Sequence, residues 1–152
     1  MVVSLLLNYV RLQRGEALYL PAGNLHAYLR GVAVEVMATS DNVLRGGLTP
    51  KHVDIDELLS VTNVEALAPP LLTPRADARG VTSYDAPFDE FRLRRLDSVV
   101  DLRVSGLGTV FCEHGEVKLG GLKLYACQAA FVAPGEDVTL TNRGTAWLVT
   151  QP

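Results

Sequence analysis

Positive charge is in short supply in this chain. Its 14 Lys and Arg stand against 17 Asp and Glu, for a formal net charge of −3. No run of basic residues offsets that balance, which excludes a general nucleic-acid binder and leaves any anionic ligand to a few local cations. Cysteine is scarce as well. Cys112 and Cys127 are the two cysteines in 152 residues; they form no CxxC pair and are too few for a disulfide framework. They read as reduced, buried, small apolar residues of a cytoplasmic protein. Long apolar runs are also missing. The stretch from Val2 to Leu7 is too short to cross a bilayer, and it lacks the basic flank and small-residue cleavage site of a signal peptide. No membrane partner is expected.

What is present is strand and turn chemistry. Hydrophobic residues make up 48% and charged residues 20%, ordinary values for a globular chain long enough for one domain or two small ones. Val2–Leu12 is apolar with growing alternation. Ala17–Leu20 is a short apolar run, and Pro21-Ala22-Gly23-Asn24 supplies a turn with a preset φ and an easy positive φ. His26–Leu29 resumes an extended segment. In Gly31–Thr39, Val32, Val34 and Val36 fall on one face of a predicted strand and Ala33, Glu35 and Met37 on the other.

One helix is predicted, with Asp54 as N-cap and Glu57 three residues on before Leu58 and Leu59, ending near Val61–Asn63. The stretch 67–80, with Pro69, Pro70 and Pro74, reads as a linker between residues 1–66 and 81–152. Short strands follow, with a hairpin turn expected at Glu113–Glu116 and another at Gly120-Gly121. Val138–Thr141 and Ala146–Val149 are the last two strands. Regular short strands with turn residues between them indicate a barrel or jelly roll.

Two segments echo each other. Gly15 to His26 and Cys127 to Val138 are each an apolar strand, a Pro/Gly turn and a second strand. The first fits a cupin motif: Gly, five residues, Pro, one residue, Gly, two residues, His26. Only the last position departs, Arg30 standing where Asn is usual. The second copy has no histidine, so residues 81–152 are expected to form a metal-free, cupin-like barrel with a packing role. The fold class expected is all-β, with cupin-type jelly-roll barrels, one short helix, and an N-terminal barrel that is incomplete.

The richest run is His26-Ala-Tyr28-Leu-Arg-Gly31, then Glu35-Val-Met37-Ala-Thr-Ser40-Asp41-Asn42-Val-Leu-Arg45-Gly-Gly47-Leu48-Thr49-Pro50-Lys51-His-Val-Asp54. It closely resembles the signature of type I, zinc-dependent mannose-6-phosphate isomerases, HAYLxG followed by ExMAxSDNxxRxGLTPKxxD. That resemblance implies interconversion of mannose 6-phosphate and fructose 6-phosphate with Zn2+ as the metal. It implies His26 as a zinc ligand, Arg45 as a residue of the catalytic step, and Tyr28, Glu35, Asp41 and Lys51 as lining the site. An aldose–ketose isomerisation passes through an enediolate, whose charge a metal and a fixed arginine stabilise. Lys51 and Glu35 are candidates for proton transfer or, for Lys51, phosphate pairing; their ranking stays open.

All of these residues but Arg45 have a plainer alternative. His26 is otherwise a satisfied structural histidine, Glu35 an edge-strand surface residue and Tyr28 a core aromatic with its hydroxyl paired. Asp41 is otherwise a turn former and Lys51 an exposed cation. His52 and His114 read as surface residues, and Arg92, Arg94 and Arg95 as a solvated strand face.

The family's other zinc ligands, a Gln-x-His pair and a Glu, find no match here. One imidazole binds zinc weakly. The chain is therefore expected to correspond to a C-terminal portion of the family, holding part of a hexose 6-phosphate site and inactive alone. The alternative is a non-catalytic cupin used for sugar binding or association, and self-association through exposed strand edges is a further expectation.

Overall fold

Two strands of unusual length carry the structure, a computed structural model that describes residues 5–39, 43–47 and 49–152. The strands are, in chain order, β1 (Ala17–Leu18), β2 (Leu71–Leu72), β3 (Arg75–Ala76), β4 (Val81–Tyr84), β5 (Arg92–Asp97), β6 (Leu102–Ser105), β7 (Gly108–Leu119), β8 (Leu122–Tyr125), β9 (Gln128–Val132) and β10 (Asp137–Thr150). The one helix among the described residues, α1, spans Ile55–Val61. The chain divides into two compact units, Met1–Gln13 with Leu18–Leu71, and Arg14–Ala17 with Leu72–Pro152.

In the second unit β10 and β7 pair antiparallel along almost their whole length. On its other edge β10 holds β6 through residues 137–140 and β5 through residues 145–150. The outer edge of β7 is shared in the same way, by β9 near its start and β8 near its end. The long strands thus belong to two sheet halves, and inward side chains of both halves form one apolar cluster. Leu102, Val117, Leu119 and Leu140 come from one half, and Leu96, Val110, Val132 and Leu148 from the other. Each fully buried Leu or Val contributes about 1.5–3 kcal/mol relative to exposure. This is the two-layered, jelly-roll-like arrangement expected of an all-β cupin-type protein.

The hairpin expected at Glu113–Glu116 is not there. β7 runs straight through it, and its alternation shows how. Val110 and Cys112 point inward, then Val117 and Leu119 do. Even positions give way to odd ones, which requires one extra residue. The register supplies it: Thr145 faces His114 and Ala146 faces Cys112, leaving Glu113 as the bulged residue. Its carboxylate accepts a 2.7 Å hydrogen bond from Trp147 Nε1. Likewise Val138–Thr141 and Ala146–Val149 are one strand, β10, and not two. Buried Asn142 lies between those stretches, donating to Leu96 O and Gly144 O and accepting from Val99 N–H.

Two further expectations for side chains are corrected. Cys127 is exposed, at a φ of 66°, while Cys112 is buried. Arg92, Arg94 and Arg95 are half-buried rather than solvated, because Arg92 and Arg95 are drawn onto Asp89 and Asp97 and Arg94 faces inward.

In the first unit, α1 forms where the local sequence dictates it. Asp54 Oδ1 accepts from the Glu57 N–H at 3.0 Å, and Thr62 closes the helix by donating its backbone N–H to Leu58 O. The predicted strands are absent: residues 5–12, 26–29 and 31–39 are irregular, and Val32 is fully exposed. A strand needs a ladder partner for its N–H and C=O groups, and none lies beside Gly31–Thr39 among the described residues. None of the described residues of this unit is buried.

Candidate functional site

The segment that follows the Pro21–Asn24 turn starts from a fixed point. Gly23 adopts a φ of 81°, and a Cβ there would sit 2.8 Å from Val61 O at the end of α1, so the close approach requires glycine. Gly23 O accepts from Asn63 N–H at 2.8 Å, and Asn24 Nδ2 donates back to Pro21 O at 3.0 Å. The turn is thereby held on the C-terminal end of α1. Sequence reasoning marked Gly23 and Asn24 as turn formers but not that the helix end seats them, a relation across some forty residues that leaves no local signal.

Beyond this turn His26, Tyr28 and Glu35 come together. The Tyr28 hydroxyl donates to Glu35 Oε1 at 2.8 Å. The His26 and Tyr28 rings meet edge-on with centroids 5.8 Å apart. His26 Nδ1 lies 3.2 Å from Asn24 O; with the proton on Nδ1 this carbonyl orients the ring and leaves Nε2 free as a ligand. Desolvation of the hydroxyl and then the Glu35 carboxylate push the Tyr28 phenol up to about 12, so Tyr28 stays a donor to Glu35 at neutral pH. Glu35 is exposed, and Tyr28 is 68% exposed rather than a core aromatic.

Arg45 and Lys51 are exposed. Among the described residues no side-chain hydrogen bond or ion pair joins either to the His26–Tyr28–Glu35 group; Lys51 N–H donates to Thr49 Oγ1 at 3.2 Å, a local turn contact. Asp41 lies outside the described residues.

No group of three or more His, Cys, Asp or Glu that could hold a metal forms among the described residues. A zinc site uses three or four protein ligands, so the donor set described here does not fit zinc by itself. His26 is one ligand-type group without the others. No helix among the described residues is long and apolar enough to cross a membrane.

A sheet folded into two layers around one core, preceded by a Pro/Gly turn that delivers a histidine, defines a cupin-type β protein. The chain belongs to the mannose-6-phosphate isomerase family. It is 42% identical over 149 residues to mannose-6-phosphate isomerase of Escherichia coli K12, covering 92% of this chain and 38% of that protein. It is 44% identical over 143 residues to the Salmonella typhimurium protein of the same name, covering 88% and 36%. Among solved structures it is similar to a lysine-to-alanine mutant of phosphomannose isomerase from Salmonella typhimurium, with a TM-score of 0.61 and 29% identity over 75% of this chain and 32% of that one. The chain spans under two fifths of the length of the curated relatives it matches, within their C-terminal part. No family model matches it. The family is one of aldose–ketose isomerases, generally metal-dependent.

Proposed function

We propose that residues 26–54 supply one wall of a zinc-dependent site that interconverts mannose 6-phosphate and fructose 6-phosphate in the cytoplasm. The observation that carries this reading is the Tyr28–Glu35 hydrogen bond beside His26, in a chain 42% identical to a mannose-6-phosphate isomerase. The solved relatives add support. They include histidine-, glutamate- and arginine-to-alanine mutants of phosphomannose isomerase whose positions are separated by the same intervals as His26, Glu35 and Arg45.

In this reading His26 offers a single imidazole to zinc, and the remaining ligands come from outside the described residues. Tyr28 holds the Glu35 carboxylate in one orientation, which suits a group that carries a proton between adjacent sugar carbons. Arg45, permanently charged and exposed, is the cation for enediolate oxygens. Lys51 pairs with the phosphate or takes part in proton transfer, and Asp41 contacts the sugar. Because the donor set is short of a full zinc site, the 152 residues do not turn over alone.

A chimera tests the assignment. Residues 1–152 replace the matched stretch of the Salmonella typhimurium enzyme, and isomerase activity is coupled to a dehydrogenase. Turnover is expected, with loss of about 10²-fold or more on Arg45→Ala or Glu35→Gln. A folded chimera without turnover, or one indifferent to both substitutions, removes the assignment. Robust turnover by the isolated chain with added zinc removes the claim that it lacks ligands.

A further inference from the structure

The buried residues described in the second unit are apolar apart from Thr82, Asn142 and Thr145, none of which carries a charge. Arg75 faces Ser83, Ser83 faces Arg94, and Arg94 faces Leu148, which in turn faces Val110. Directly opposed residues of an antiparallel ladder share a face, and Leu148 and Val110 are buried core residues. Arg94 therefore projects from the core-facing side of β5, one step along the strand from fully buried Leu96.

Nothing described neutralises it. Of the arginines from Arg75 to Arg103, Arg75, Arg79, Arg92, Arg95 and Arg103 each hold a carboxylate, and Arg94 does not. One guanidinium nitrogen donates to Thr150 Oγ1 at 3.1 Å, while its buried Nε has no hydrogen-bond partner among the described residues. Burial holds the Arg94 guanidinium below its ordinary range, the signature of a charge lacking compensation.

This guanidinium lines an open cavity of about 350 Å³ together with Arg75, Arg79, Ser83, Asp77 and Asp85. Asp85 and Asp77 are already engaged by Arg75 and Arg79, so the cavity keeps one net positive charge and a hydroxyl.

We propose that Arg94 anchors an oxyanion-binding site at this end of the second unit, taking a small phosphate or carboxylate group. The guanidinium presents paired N–H donors to two oxygens of the anion, and Ser83 Oγ adds a third donor.

The test is a titration of the 15N-labelled 152-residue chain with inorganic phosphate and, separately, with acetate, read by amide shifts. The expected result is a saturable shift at Arg75, Ser83, Arg94 and Thr150 with at least one anion. Arg94→Met weakens it about tenfold or more, whereas Arg103→Gln, at an exposed paired arginine, leaves it unchanged. The ion that saturates identifies the preferred class. Should Arg94→Met lose its dispersed spectrum, Arg94→Gln is read in its place. Non-saturating shifts, shifts spread equally over the other arginines, or equal affinity in the Arg94 variant overturn the site.

Discussion

Gly115 and Gly144 face each other across β7 and β10, with φ of 87° and 116°, and neither position has room for a side chain. A Cβ on Gly115 would lie 1.9 Å from Arg143 O, and one on Gly144 2.3 Å from His114 O. Here the two long strands pass from one sheet half to the other, beside the bulged Glu113. The pair lets the backbones close together in a conformation that L side chains rarely adopt.

Replacing either glycine with alanine should therefore loosen the whole second unit. Left-handed strain costs about 1–3 kcal/mol, and the clash with a carbonyl oxygen adds to it because a backbone atom cannot swing aside. Urea unfolding of Gly115→Ala should show a midpoint well below that of the parent chain. Gly121→Ala is the control: its φ is ordinary and nothing lies within 4 Å of the added Cβ, so its midpoint should hardly move. Equal midpoints for all three proteins would refute the crossing as a constraint.

Asn142 is the polar counterpart of that crossing. It is 2% exposed and satisfies Val99 N–H, Leu96 O and Gly144 O at once. Asn142→Leu, close in volume, leaves those groups without that partner at a cost of about 1–3 kcal/mol for each one buried. We expect a loss of about 3 kcal/mol or more and earlier exchange of the Val99 amide. A stability within error of the parent would show that water replaces the side chain.

These two cases also show where the sequence was legible. The alternation in Val110–Cys112 and in Val117–Leu119 was readable, as was the all-β class. What lay between them was not: a glycine after His114 means a hairpin if the next strand folds back locally, and a bulge if its partner is Gly144, near in space and distant in sequence. Gly31–Thr39 failed for the converse reason. Its valines have the period of a strand, but period alone cannot supply the neighbour that a ladder needs. In the site, the helix cap and the turn before His26 were local and could be read. The seating of Gly23 on Val61 O, the exposure of Glu35 and the isolation of Arg94 depend on contacts no local window contains.

The cap of α1 shows how far local chemistry reaches. Asp54→Ala removes the acceptor for Glu57 N–H and a negative charge at the helix N-terminus. The expected cost is about 1 kcal/mol to the helix. α1 has no buried residue to hold it, so the effect should stay local. Amide exchange across Ile55–Val61 should quicken while β7 and β10 keep their protection. A uniform rise in exchange throughout the chain would mean that the two regions unfold together.

Tyr28 and Glu35 give the site a titration of its own. Burial of the hydroxyl and the neighbouring carboxylate raise the phenol to about 12, above the ordinary value near 10. A raised pKa means that the folded chain favours the protonated phenol. The resulting stabilisation is complete below the ordinary value and is lost as pH climbs through about 12; at neutral pH no change is expected. Burial also pushes the Tyr84 phenol up, so phenolate absorbance should contain late-titrating tyrosine of which the Tyr28 share disappears in Tyr28→Phe. In Glu35→Gln the acceptor survives as a neutral amide, and the Tyr28 phenol should move down towards the ordinary value, though not all the way, since desolvation is the larger cause. If the Tyr28 step stays where it was in Glu35→Gln, the carboxylate is not what Tyr28 responds to, and the Tyr28–Glu35 pair loses its place in the site.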